Sequence, residues 1–409
     1  MAYMGIEYLR RKLAQKSLGV TRRYDYYEMK YLRNDPSPLI PTTLKDSYKS
    51  VLGWCAKSVD SLADRLSFDG FDDATDLFNM NEIFNLNNKD ILFDSAILGA
   101  LISSCDFVYI SKDESGFPRL QVIDGRNATG IIDPITNMLV EGYAVLERDA
   151  RDQVVTEAYF IPGETQIITK GNHKVTVETF PNVAPYALLV PIIYRPDAKR
   201  LFGHSRISRA CMDLMDKARN TITRAEVSAE FYAFPQKYVV GISQDAEPMD
   251  SWKATISSML QFTKDEDGDH PVLGQFQTAS MTPHQEQLKM YASAFAGETG
   301  LTLDDLGFVT SNPSSEAAIR ASHENLRLTA RKAQRTFGTG FLNVGYLAAC
   351  VRDNFAYKRK EIYQSVPMWK PLFEPDASTL SALGDAAMKL QQAFPEYMTD
   401  KKLKEITGF

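Results

Sequence analysis

The stretch from Asn312 to Phe355 constrains this chain most, because it reads as a single long helix. Asn312 can cap it, Pro313 sits where a missing N–H costs nothing, and Ser314, Ser315 and Glu316 suit a first turn. Apolar residues recur at Leu326, Ala330, Ala333, Phe337, Phe341, Val344, Leu347, Val351 and Phe355, a three-four spacing that lays one stripe along a helix. About forty residues at about 1.5 Å each make a rod of about 60 Å. Such a rod needs other helices to lie against. Gly338 and Gly340 flank Thr339 near its middle, each costing up to ~1 kcal/mol against Ala, so a kink is expected there.

The rest of the chain supplies those neighbours. Residues 1–33 read as helical with a tyrosine cluster at Tyr24, Tyr26, Tyr27 and Tyr31, and Asn34-Asp35-Pro36-Ser37-Pro38 stops them. A second helix is expected from about Ser47 to Leu66, with Val51, Trp54, Cys55, Val59, Leu62 and Leu66 on one face and Gly70-Phe71 ending it. A third is expected from Asn81 to Ser104. From Phe107 the pattern changes to short β-type runs: Phe107–Ile110, Leu120–Ile123, Ala144–Leu146, Glu157–Ile161, Gln166–Thr169, Lys174–Thr179 and Val190–Ile193. Turn pairs such as Ser115-Gly116, Asp124-Gly125 and Pro162-Gly163 separate them, predicting a small antiparallel sheet region.

A helix then runs to about Phe231, with Ile207, Cys211, Leu214, Ala218, Ile222, Ala225 and Ala229 at three-four spacing, until Phe234-Pro235 stops it. A compact insertion follows: a strand over Lys237–Val240, a short helix over Asp250–Phe262 with Trp252 inward, an acidic loop over Lys264–His270, and a strand over Val272–Phe276. His284–Gly300 is helical, with Leu288, Tyr291, Phe295 and Ala296 on its apolar side. A small αβ module is thus held between two helices, and a loop from Leu301 to Ser311 leads into the long helix. The fold class is α+β, mostly helical.

Composition narrows the function classes. The 409 residues are 44% hydrophobic and 24% charged, enough for two to four structural units with a substantial core. No run of about 18 apolar residues is present, so no membrane partner is expected. Glu7, Arg10, Arg11 and Lys12 leave no apolar core for a signal peptide, so folding in a cytoplasm is expected. Cys55, Cys105, Cys211 and Cys350 lie scattered in apolar contexts and read as reduced, buried thiols. A net charge of −6 argues against a chain that wraps nucleic acid with a basic surface. There is no Gly-x-x-x-x-Gly-Lys-Ser/Thr loop, no Gly-x-Ser-x-Gly elbow, and no metal-ligand spacing among the five histidines. Neither a catalytic site nor a cofactor is expected.

The order of parts resembles the portal protein family of tailed bacteriophages, in the branch typical of long-tailed siphophages. The resemblance rests on Phe202-Gly203-His204-Ser205-Arg206-Ile207 opening a helix and on Phe234-Pro235-Gln236-Lys237-Tyr238-Val239-Val240-Gly241 closing it. Its most specific part is Thr299-Gly300-Leu301, Leu306-Gly307 and Asn312-Pro313-Ser314-Ser315-Glu316-Ala317-Ala318. The family implies a homo-oligomeric ring, usually of twelve subunits, at one capsid vertex, through which double-stranded DNA enters and leaves. It implies a wing over residues 1–203, stem helices over 204–232 and 284–300, and a clip over 233–283. A tunnel loop over 301–311, a long kinked helix over 312–355 and a short crown over 356–409 complete the family's layout. Implied partners are the terminase large subunit, a head-tail connector, scaffold and the major capsid protein, with assembly in the bacterial host cytoplasm.

The resemblance also sorts the candidate residues. Thr302, Asp304, Asp305, Phe308, Val309, Thr310 and Ser311 would face DNA as a collar without lysine or arginine, or else form an ordinary surface connection. Lys237, Trp252, Lys264, Asp265, Glu266, Asp267 and Asp269 would serve clip docking. The 265–269 acids superficially suggest a calcium loop, but glycine stands at the fourth place and Phe276 at the twelfth, so the ligand geometry fails. Ile207, Cys211, Leu214, Ala218, Ile222 and Ala225 would pack subunits in the stem. Arg320, Arg327, Arg331 and Arg335 could meet phosphates, acids of an adjacent subunit, or only solvent. The rival reading is a magnesium-dependent nuclease using Asp304 and Asp305.

Overall fold

The computed structural model describes residues 3–30, 50–72, 78–171, 174–233, 237–240, 272–275, 280–308, 321–362, 364–372 and 377–393. Its elements in chain order are α1 (Ile6–Tyr27), α2 (Trp54–Ala63), β1 (Phe68–Asp72), α3 (Met80–Leu86), α4 (Lys89–Ser103), β2 (Cys105–Lys112) and β3 (Pro118–Ile123). They continue with β4 (Ala128–Ile132), β5 (Leu139–Arg148), β6 (Val154–Ile161), β7 (Glu164–Lys170), β8 (Val175–Pro181), β9 (Leu189–Ile193) and α5 (Arg209–Ala233). Last come β10 (Lys237–Val240), β11 (Val272–Gln275), α6 (Thr282–Thr299), α7 (Glu324–Asp353), α8 (Arg359–Ile362), β12 (Val366–Trp369) and α9 (Ala377–Ala393). The architecture is α+β.

The spine is α7, 30 residues long. From Phe337 to Val351 it is buried on nearly every side, as a helix apolar all round must be. It ends at Asp353, two residues before the expected end at Phe355, and Asn354 caps it in the left-handed conformation at φ 49°, its N–H donating to the Cys350 carbonyl. The expected start at Asn312-Pro313 lies outside the described residues. The helix is continuous through Gly338 and Gly340. These glycines permit close approach: a Cβ on Gly340 would stand 2.9 Å from Ile192 Cδ1, and one on Gly338 3.0 Å from Pro367.

An aromatic cluster fastens the spine. Phe68 of β1 has its ring centroid 4.5 Å from Phe93 of α4, 5.0 Å from Phe341 of α7 and 4.8 Å from Trp369 of β12. β1 pairs antiparallel with β12, so Gly70 and Phe71, expected only to end a helix, belong to a strand whose partner comes from the other end of the chain. The helix before it is shorter than expected: α2 starts at Trp54, and Val51 is exposed ahead of it. The single helix expected over Asn81–Ser104 is two. Asn88 takes the left-handed conformation between them, and Asn87 Nδ2 donates to the Ile83 and Pro118 carbonyls at 2.8 and 3.0 Å.

Among the described residues the expected sheet region divides into two antiparallel sheets, a three-stranded one ordered β3-β2-β9 and a five-stranded meander β4-β5-β6-β7-β8. Tyr109 of β2 and Phe160 of β6 meet between them at 5.2 Å. β4, the short Ala-Thr-Gly-Ile-Ile run, was not foreseen. Two glutamates, each 1% exposed, dock α1 on the meander. Glu141 accepts the Met4 and Gly5 N–H groups at 2.9 and 2.7 Å and the Tyr159 hydroxyl at 2.6 Å. Glu157 accepts from Arg10, from the Tyr143 hydroxyl at 2.6 Å, and from Lys170 at 3.1 Å. Burial pushes the Glu157 carboxyl upward, yet the bonds from Arg10, Tyr143 and Lys170 outweigh it and hold it below the usual range.

Candidate functional site

The chain leaves the body through α5 and returns through α6, and these two helices pack together. Between them, β10 and β11 pair antiparallel from Lys237 opposite Gln275 to Val240 opposite Val272. At the body end the helix pair is apolar: Cys211, Met215 and Ala218 of α5 and Ala292, Phe295 and Ala296 of α6 are buried, and Trp54 lies 5.5 Å from Phe295. Towards the strands the contacts become polar, with Thr221 Oγ1 3.4 Å from Gln287 and Ser228 Oγ 3.3 Å from His284. At the strands Val240 and Val272 are exposed.

The segment opening α5 is held from below. Gly203 sits at φ 73°, where a Cβ would fall 2.0 Å from the Tyr194 carbonyl oxygen, so only glycine fits. His204 bonds Asp197 at 2.5 Å, and that bond, with the Arg200 and Lys199 N–H groups, holds the Asp197 carboxyl down to about 2. Arg206, largely buried, donates Nε to the Ser58 carbonyl at 3.1 Å and its terminal nitrogen to the Thr299 carbonyl at 2.5 Å, tying the start of α5 to the end of α6. Gly300 closes α6 at φ 70°, its N–H on the Ala296 carbonyl. Midway along α5, Arg219 donates to the Ser50 carbonyl at 3.0 Å, and Asp216 accepts the Tyr26 hydroxyl at 2.6 Å. A continuous polar seam therefore joins α1, the segment before α2, and α5.

The stem candidates divide by placement. Ile207 precedes the helix and is buried, and Cys211 and Ala218 are buried inside their own chain. Leu214, Ile222 and Ala225 are half-buried. In the loop after α6, Asp304–Leu306 forms one 3-10 turn over buried Leu301 and Leu306. Thr302 donates its N–H and hydroxyl to Asp305 Oδ2, both at 2.9 Å, and Asp305 N–H returns a bond to Thr302 Oγ1 at 3.2 Å. His323 Nδ1 lies 3.9 Å from the same carboxylate. Asp304 is exposed, and Phe308 is half-buried. The Thr-x-x-Asp spacing that makes this reciprocal cap was visible in the sequence. Val309, Thr310 and Ser311 lie outside the described residues, as do Trp252, Lys264, Asp265, Glu266, Asp267, Asp269 and Arg320.

The remaining arginines lie along one face of α7. Arg327 makes a double bond pair with Glu324 at 2.7 and 2.6 Å. Arg331, Lys332 and Arg335 are exposed over two adjoining concavities of about 790 and 500 Å³. Arg195 reaches the second from the loop after β9, and no sequence signal marked it. Cys55, Cys105, Cys211 and Cys350 are all free and buried. Among the described residues no group of His, Cys, Asp or Glu could hold a metal, and no helix is long and apolar enough to cross a membrane.

Comparison with known proteins follows this geometry. Residues 20–403 match the family described as phage portal protein, SPP1 Gp6-like. The chain is 24% identical to the portal protein of Mycobacterium phage L5 over 83% of this chain and 72% of that one. It is 24% identical to the portal protein of Mycobacterium phage D29 over 89% of this chain and 77% of that one. A solved chain from the neck of a native gene transfer agent particle, computed with C12 symmetry, is 14% identical, covering 95% of this chain and 99% of that chain at a TM-score of 0.47. Another, from the neck of an empty particle computed with C6 symmetry, is also 14% identical, covering 91% and 94% at 0.48.

Proposed function

This chain belongs to the SPP1 Gp6-like family of phage portal proteins, and from that premise we propose that twelve copies close into a ring around a channel for double-stranded DNA at one capsid vertex. The match over residues 20–403 carries the reading. A head-to-tail contact repeated until the rotation closes is the symmetry such a ring needs. In this reading α5 and α6 are the stem, with the Arg206 clamp fixing their splay at the body end. The β10–β11 pair roots a clip over 233–283 that receives the terminase large subunit and later the head-tail connector. Residues 1–203 and α7 form the wing that meets scaffold and major capsid protein, and 356–409 form a short crown. The ring assembles in the host cytoplasm and nucleates the capsid.

The loop 301–311 narrows the channel, with Asp304 presented to DNA and Asp305 holding the turn that presents it. An acidic collar repels phosphates and lets a duplex slide. Energy for translocation comes from the motor, since the chain carries no nucleotide-binding loop. In the virus encoding this chain, Asp304→Lys is expected to slow packaging and lower the fraction of filled heads; normal filling would remove the loop from the mechanism. Purified rings with Mg²⁺ are expected to leave duplex DNA intact. Cleavage abolished by changing Asp304 and Asp305 would overturn the non-enzymatic reading.

A further inference from the structure

The exposed face of α7, where it overhangs β12 and β9, combines cationic side chains with an apolar floor. Its two concavities share Lys332, Arg335 and Thr339. Four cations border them, Arg195, Arg331, Lys332 and Arg335, and among the described residues no carboxylate lines either one. None of the four makes an ion pair among the described residues. That is unusual company in a chain whose 52 acids outnumber its 46 lysines and arginines. Exposed Leu328 and Val366 with Pro367 and Trp369 add an apolar floor.

Two further atoms decide what fits. Ser365, which lines the first concavity, and Asn343, which lines the second, are 2% exposed, and the Ser365 Oγ and Asn343 Oδ1 atoms have no hydrogen-bond partner among the described residues. The serine hydroxyl can donate to an acceptor, whereas the asparagine oxygen needs a donor. A nucleic-acid backbone offers phosphate acceptors and has no use for an apolar floor. A peptide segment offers N–H and C=O together, apolar side chains, and carboxylates for the arginines. For copies that each carry a net charge of −6, a contact that sets a cationic patch on one against acids on the next is electrostatically favoured.

We propose that this face of α7 is the receiving half of the contact between neighbouring copies, and that it takes a carboxylate-bearing segment of a second copy of this chain. The proposal rests on the ring reading above and assigns the place where one copy grips the next. Arg331 and Arg335 hold carboxylates, Ser365 and Asn343 bond the segment's backbone, and Leu328 and Val366 cover its apolar side.

The test uses the full chain, produced with and without ¹⁵N, mixed and assembled, then treated with a zero-length carbodiimide that joins an amine to a touching carboxylate. Peptide mass spectrometry is expected to find Lys332 joined to an Asp or Glu of the other isotope. Arg331→Glu/Arg335→Glu is expected to lower the ring fraction at fixed protein concentration by about tenfold or more, because like charges across a contact are strongly disfavoured. Its monomer should melt as wild type, both sites being exposed. Arg331→Gln/Arg335→Gln should give a smaller loss in the same direction. Wild-type rings lacking any inter-copy Lys332 link, or a double reversal that assembles normally, would overturn the proposal. So would Lys332 becoming protected from acetylation only on adding a 20-base-pair duplex, which would give the face to DNA. A wild-type chain that stays monomeric would refute the ring reading as well, a result distinct from intact rings without the link.

Discussion

Gly340→Ala separates a packing role from a hinge role in the spine. In an open helix, Gly to Ala gains about 1 kcal/mol from backbone entropy and propensity. At position 340 the new Cβ would stand 2.9 Å from Ile192 Cδ1 and 3.5 Å from the Pro191 carbonyl oxygen. Ile192 is fully buried in β9, so room for the new carbon comes only from a shift of its terminal methyl within the core. Overpacking of this kind costs about 1–3 kcal/mol, which exceeds the propensity gain, so a net loss of up to about 2 kcal/mol is expected. Gly297→Ala in α6 is the control, since nothing lies within 4 Å of its added carbon, and it should gain about 1 kcal/mol. Urea midpoints followed by circular dichroism, at one protein concentration for all variants, give the comparison. Gly340→Ala equal to or more stable than wild type would refute close packing at this crossing.

Other expectations come from the same contacts. Asp106 is wholly buried, and desolvation pushes its carboxyl up to about 8 despite bonds from Ser103 and the Gly125 N–H. Its folded pKa is raised, so stability is greatest at low pH and is lost between the ordinary value of 3.8 and about 8. Asp106→Asn should therefore melt above wild type at alkaline pH and with it in acid. Glu157 has the opposite sign: its stabilisation is present above the ordinary glutamate value and is lost as pH falls through the depressed folded value. Hydrogen exchange should show α1 losing protection first on acidification. Arg206→Met removes the side-chain bonds to the Ser58 and Thr299 carbonyls and should cost about 1–3 kcal/mol in thermal or urea unfolding. Ala218→Phe should damage the fold itself, being buried within the chain, whereas Ala225→Phe should keep the fold and report on stem contacts through ring yield.

The helical part of this architecture was legible because amphipathic spacing is local. α1, α5, α6 and the strand cores of β2, β6, β7 and β9 all lie where their patterns predicted. What escaped depends on partners distant in sequence. Phe68–Asp72 carries no strong strand pattern and becomes a strand only against Val366–Trp369. The Asn87-Asn88 break in Asn81–Ser104 depends on one asparagine reaching the Pro118 carbonyl. The close approach at Gly338 and Gly340 escaped because sequence shows the missing side chains but not what fills their place. Among site residues, the Phe202–Ile207 motif was readable from the resemblance, whereas the Thr302–Asp305 cap went unread although its Thr-x-x-Asp spacing is a local signal. Arg195 joining Arg335 was not readable, since the loop after β9 meets α7 only in three dimensions.

The most direct measurement is the mass of the purified chain by native mass spectrometry, with end-on negative-stain images of the same sample. A portal built as described gives a closed ring of about twelve copies with a central hole. A monomer or dimer at every concentration, unchanged by added scaffold protein, would contradict the account.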